Sequence, residues 1–182
     1  MPACVLQRGQ LSGKRHWRGY YSPFAGYSQC TMCAGGTIQA SRGQISCGVV
    51  GAGSYALPGW SASIPCIAGT FSSVNGATQC TTCVGGTASA AGAGGCYQCG
   101  AGYYAIAGSS LCTYCPTGKY GPAGVSQCLV CPLGTYSGYG AGTCTQCDAG
   151  TISSASGAST CAICAPGSYA IAGSSGKNIS TD

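Results

Sequence analysis

Apolar and polar residues alternate along this chain only in fragments a few residues long. Pieces such as GTYS, GTFSS, GYYA and GKYG set one or two large side chains among small ones and are bounded by glycine. That is the pattern of very short strands lying between turns. No stretch carries the i, i+3, i+4 apolar spacing of an amphipathic helix. The expected elements are strands and turns, with essentially no helix.

The fragments recur with a fixed period. CxxC pairs fall at Cys80/Cys83, Cys96/Cys99, Cys112/Cys115, Cys128/Cys131 and Cys144/Cys147, sixteen residues apart, and Cys161/Cys164 follows after seventeen. Upstream, Cys30/Cys33 is a complete pair, Cys47 keeps only the first thiol because Val50 holds the second position, and Cys66 keeps only the second because Ser63 holds the first. These make nine registers, each named below by its second position. Glycine stands three residues after that position in every register, from Gly36 to Gly167, and a second glycine follows nine or ten residues after it, from Gly43 to Gly173. Such regularity predicts a turn with positive φ or a backbone approach too close for a Cβ. Between the glycines lies a large apolar residue: Ile38, Tyr55, Phe71, Tyr104, Tyr120, Tyr136, Ile152 or Tyr169, with Ala88 as the exception. A side chain at fixed repeat phase reads as the core. Tyr20, Tyr27, Tyr97, Tyr103, Tyr114 and Tyr139 lie off that phase and read as contacts between subunits.

The same ruler reaches back to Gly19, Tyr21, Gly26 and Cys30 if His16 holds a cysteine position, and forward to Gly173, with Lys177 where the next cysteine would stand. The expectation is a segment of a longer array: an elongated, solenoid-like stack of about nine repeats of 16–17 residues over 19–176, between a basic lead-in at 1–18 and a tail at 177–182.

The defects in the repeat indicate the cysteine pairing. Val50 and Ser63 are the second position of one register and the first of the next, so both halves of one bridge are lost together. Bridges of that kind are Cys33–Cys47, Cys66–Cys80, Cys83–Cys96, Cys99–Cys112, Cys115–Cys128, Cys131–Cys144 and Cys147–Cys161. Each closes a short loop worth about 3 kcal/mol in the chain-entropy account. Cys4, Cys30 and Cys164 remain. Cys164 of one chain joined to Cys30 of the next would continue the array between molecules; the alternative is a local Cys4–Cys30 bridge.

Composition narrows the chemistry. Among 182 residues there are 17 Cys, 33 Gly, seven basic and two acidic side chains and one His. His16, Asp148 and Asp182 supply too little for a catalytic triad, a general acid/base pair or a carboxylate metal cage. The reading is not an enzyme, with no cofactor. Four of the basic residues fall in the lead-in, so the net charge of +5 makes no stripe for nucleic acid. CxxC pairs twelve residues apart approach zinc-ribbon spacing, but the joint loss at Val50 and Ser63 would spoil two such sites, and no metal is expected. No apolar run is long enough to span a membrane, and the opening MPACVLQRGQ lacks the apolar core of an export signal. The cysteine content nonetheless predicts an extracellular or cell-surface protein. Asn178-Ile179-Ser180 is a glycosylation sequon.

At Cys131 to Cys147 the segment CPLGTYSGYGAGTCTQC resembles the ephrin-receptor-like cysteine-rich repeat and is similar to the first loop of tumour-necrosis-factor-receptor modules. GGCY at Gly94 to Tyr97 looks like a feature of diplomonad variant surface proteins, in which such repeats also occur. The resemblance implies extracellular, disulfide-bonded β-turn units without catalysis. The expected function is an extracellular structural protein whose partners are copies of itself and glycans, in a filament, hair or surface coat. The alternative is a ligand-binding or stalk fragment of a receptor-like ectodomain.

Overall fold

A computed structural model describes residues 18–23, 30–41 and 44–176. Among these there is no helix; the chain forms two-residue strands paired antiparallel into nine hairpins. In chain order, β1 (Tyr20–Tyr21) pairs with β2 (Thr31–Met32), β3 (Thr37–Ile38) with β4 (Gly48–Val49), and β5 (Ser54–Tyr55) with β6 (Ile64–Pro65). Next, β7 (Thr70–Phe71) pairs with β8 (Thr81–Thr82), β9 (Thr87–Ala88) with β10 (Tyr97–Gln98), and β11 (Tyr103–Tyr104) with β12 (Thr113–Tyr114). Last, β13 (Lys119–Tyr120) pairs with β14 (Leu129–Val130), β15 (Thr135–Tyr136) with β16 (Thr145–Gln146), and β17 (Thr151–Ile152) with β18 (Ala162–Ile163). The fold is small, disulfide-rich and mostly β and turn, as the repeat predicts.

In every complete CxxC the two middle residues are the second strand of a hairpin. An extended segment sends residues three apart to opposite faces, so one cysteine turns back to the preceding register and the other forward to the next. The bridges follow that rule: Cys33–Cys47, Cys66–Cys80, Cys99–Cys112, Cys115–Cys128, Cys131–Cys144 and Cys147–Cys161, with Cα atoms 5.6–5.8 Å apart. Cys83 and Cys96, the remaining expected pair, are each disulfide-bonded.

Among the described residues, both glycines of the repeat occupy turns. At Gly134, with φ of 76°, the Thr135 amide donates to the Pro132 carbonyl at 3.2 Å, and the Thr135 hydroxyl donates to the same oxygen at 2.7 Å. Positive φ at the third residue of such a turn is the type II geometry that selects glycine. The second glycine repeats it, as where Ser109 donates to Ile106 around Gly108 at φ 77°.

The chain divides into two compact units: one runs through Thr82 and includes Ser89–Cys96, the other comprises Cys83–Ala88 and continues from Tyr97. In the first unit, the registers of Cys33 and Val50 are joined by four backbone hydrogen bonds. Gly36 N donates to Ala56 O (2.8 Å), Val50 N to Gly36 O (3.0 Å), Gly59 N to Cys33 O (2.9 Å) and Gln39 N to Trp60 O (3.3 Å). The registers of Val50 and Cys66, which no bridge connects, keep the equivalent set: Gly53 to Ser72, Cys66 to Gly53, Gly76 to Val50 and Ala56 to Ala77. In the second unit Gly118 donates to Ser137, Cys131 to Gly118, Gly140 to Cys115 and Gly121 to Ala141. Within each unit the ladder between registers is thus backbone, and at the junction of Val50 and Cys66 it forms without sulfur. Val50, 3% exposed, occupies the buried position of a half-cystine.

The core differs from the expected aromatic ladder. Ile38, Tyr55, Phe71, Tyr104, Tyr120, Tyr136 and Ile152 are only half-buried, and Tyr169 is exposed. What is buried is the second cysteine of seven registers (Cys33, Cys66, Cys83, Cys99, Cys115, Cys131, Cys147), the first glycine of most registers, and a small residue six positions after the second position. That third position holds Ala56, Ser72, Ser89, Ala105, Gly121, Ser137, Ser153 or Ala170. The backbones of successive registers approach too closely for a ring to enter between them. The buried serines satisfy their hydroxyls on nearby carbonyls, Ser89 on Thr70 at 3.0 Å and Ser137 on Lys119 at 2.9 Å.

Candidate interaction surface

With small residues inside, the larger side chains are displaced outward. In several registers the residue just before the second cysteine position lies over the second glycine of the following register: Met32 over Gly59, Val49 over Gly76, Tyr114 over Gly140 and Val130 over Gly157. Met32, Val49, Tyr114 and Val130 are all exposed. The missing side chain of the glycine makes the seat, and the covering residue shows its outer face to solvent. Exposed apolar residues also occur elsewhere in the repeats, among them Ile67, Val84, Ile106 and Leu111.

Charge does little to break up this surface. Among the described residues the ionic side chains are Arg18, Lys119 and Asp148, all exposed. Uncharged surfaces with recurring apolar side chains favour association over solubility.

The off-phase tyrosines are placed unequally. Tyr20 is half-buried in β1, Tyr97 is exposed on β10, and Tyr27 lies outside the described residues. Tyr103 and Tyr114 meet with ring centroids 4.2 Å apart, and Tyr139 stands 5.1 Å from Tyr114. A side-chain hydrogen bond with Tyr114 raises the Tyr103 pKa above its usual 10.0, helped by burial and by the neighbouring phenols. Tyr55 and Trp60 form a further ring contact at 5.8 Å. Repeat phase alone sets these tyrosines apart from the core and brings none of them together. The signal was available in β-pairing, because the position after the first glycine and the last residue of the next CxxC strand are cross-strand partners.

The cysteines outside the seven expected pairs behave differently from one another. Cys164 is a free, partly buried thiol, whereas Cys30 is disulfide-bonded. Within this single chain the Cys30 sulfur is engaged and the Cys164 thiol is not. Cys4 lies outside the described residues, as do His16, the sequon at Asn178 and almost all of the lead-in. Of the CxxC thiols that zinc would require, all but Cys164 are consumed in disulfides. Among the described residues no helix is long and apolar enough to cross a membrane. The disulfide density fits an extracellular or secreted protein. Neither the protein-family models nor the curated proteins compared with the chain give a match.

Proposed function

We propose that this chain is an extracellular structural repeat protein that associates with copies of itself into a filament, hair or surface coat. The observation that carries the reading is the repeated surface: apolar side chains such as Met32, Val49, Tyr114 and Val130 recur outside, with three charged side chains among the described residues to oppose contact. A repeat with its apolar groups outside and small residues inside is suited to lateral packing, where a neighbouring copy supplies the burial that the chain itself does not. Glycan at Asn178 would keep the assembly hydrated. No catalytic step belongs to this reading, since the chain has a single His and two acidic residues.

Sedimentation of the oxidised chain across a concentration series, with electron microscopy of the same samples, tests the proposal. Filaments or a concentration-dependent rise in mass support it; a monodisperse monomer at every concentration refutes it. The second reading, a stalk or ligand-binding fragment of a receptor-like ectodomain, is favoured by the CPLGTYS segment at Cys131 to Ser137. It predicts that stable monomer.

A further inference from the structure

The tyrosine cluster of the second unit has a geometry that packing alone does not demand. Tyr103 and Tyr114 are cross-strand partners of β11 and β12, with centroids 4.2 Å apart and ring planes inclined by 32°. Rings with centroids this close set ring carbons of one phenol beside those of the other, within reach of a new bond after a small shift. Tyr139, 69% exposed, lies 5.1 Å from Tyr114 and opens the cluster to solvent. Gly140 leaves the space in which Tyr114 lies.

We propose that Tyr103 and Tyr114 form an oxidative cross-linking site, joined as dityrosine by a haem peroxidase acting with hydrogen peroxide. Each phenol gives up one electron and one proton, and the two phenoxyl radicals couple through a carbon–carbon bond between ortho positions. The hydrogen on each coupled carbon then moves to the adjoining oxygen, which restores both phenols. One hydrogen peroxide takes up the two electrons and two protons and leaves as two waters. Tyr139, the most exposed ring of the three, is the entry point from which oxidation passes inward to Tyr114. The product ties β11 to β12 by a bond that thiols cannot reduce, beside the reducible Cys99–Cys112 bridge. The site lies within one chain and stands whether or not the chain assembles with itself.

The test uses the full oxidised chain with Cys164 alkylated beforehand, so that its thiol does not consume the oxidant. After treatment with a haem peroxidase and hydrogen peroxide, the monomer fraction is isolated, reduced, digested and mapped by mass spectrometry. The expected product is a peptide pair linked through Tyr103 and Tyr114, two hydrogens lighter than its parts and showing dityrosine fluorescence. Tyr114→Phe should lose it, Tyr97→Phe should keep it, and Tyr139→Phe should slow its formation. In chain reduced and unfolded before treatment, the Tyr103 to Tyr114 link should fall to the level of other tyrosine pairs. Monomer free of that link, or the link formed equally well in the unfolded chain, overturns the proposal.

Discussion

A side-chain carbon on Gly118 would fall on the carbonyl oxygen of Gly157, two registers further along the chain. The same relationship joins Gly36 to Gly76 and Gly134 to Gly173. Gly118→Ala therefore meets two obstacles, the left-handed backbone and the clash, and should cost about 3–5 kcal/mol. Gly150 shares the positive φ but has nothing within 4 Å of where its Cβ would lie. Gly150→Ala should cost only about 1–2 kcal/mol. Denaturant unfolding with disulfides intact checks the order; equal losses would refute the close approach as the reason for glycine.

The hydrogen-bond ladder continues through the registers of Val50 and Cys66 without a bridge, so the backbone there is already set to receive one. Val50→Cys with Ser63→Cys should form a disulfide spontaneously on oxidation and stabilise the chain by about 3 kcal/mol. Intact mass under non-reducing conditions and thermal melting report it. Two free thiols in the double variant would contradict the assignment of Val50 and Ser63 to one bridge.

Native alkylation separates the two unusual cysteines. Iodoacetamide should label Cys164 while leaving Cys30 untouched until reductant is added, because the first is a free thiol and the second is disulfide-bonded. Early labelling of Cys30 would show that its sulfur is not engaged within the chain.

Tyr103 should ionise above the usual tyrosine range, with its side-chain interaction with Tyr114 as the leading cause. Folding here favours the protonated phenol, so its contribution is fully present below the unfolded pKa of about 10 and is lost as pH rises through the higher folded value. Ultraviolet titration of phenolate absorbance should show a late-ionising step in the wild type. In Tyr114→Phe that late step should move down; its persistence would assign it to another residue.

The disulfide plan was readable from sequence because a repeat with two matched defects, Val50 and Ser63, says which positions belong together. Strand and turn content was readable for a similar reason: glycine at a fixed phase, as at Gly134, allows few conformations. The location of the core was not. Tyr104, Tyr120 and Tyr136 carry the largest apolar area in each register, and area at constant phase suggests burial. Backbone hydrogen bonding between registers, as from Gly118 to Ser137, holds the chains too close for that. The informative signal was size, since Ala, Ser or Gly fills the sixth position after the second cysteine in every register but that of Gln39. The tyrosine cluster was hidden because Tyr139 belongs to a different register from Tyr103 and Tyr114, and only the winding of the chain brings its ring beside theirs.

The backbone ladder has an evolutionary consequence. Because its donors and acceptors are peptide groups, a register specifies its neighbour through a cysteine, two glycines and one small residue, and the remaining positions are released from the task of folding. Duplication or deletion of a whole register would preserve every junction, so array length can drift between generations while the unit persists. Variation would then accumulate on the outward positions, giving a lineage many surfaces from a single scaffold.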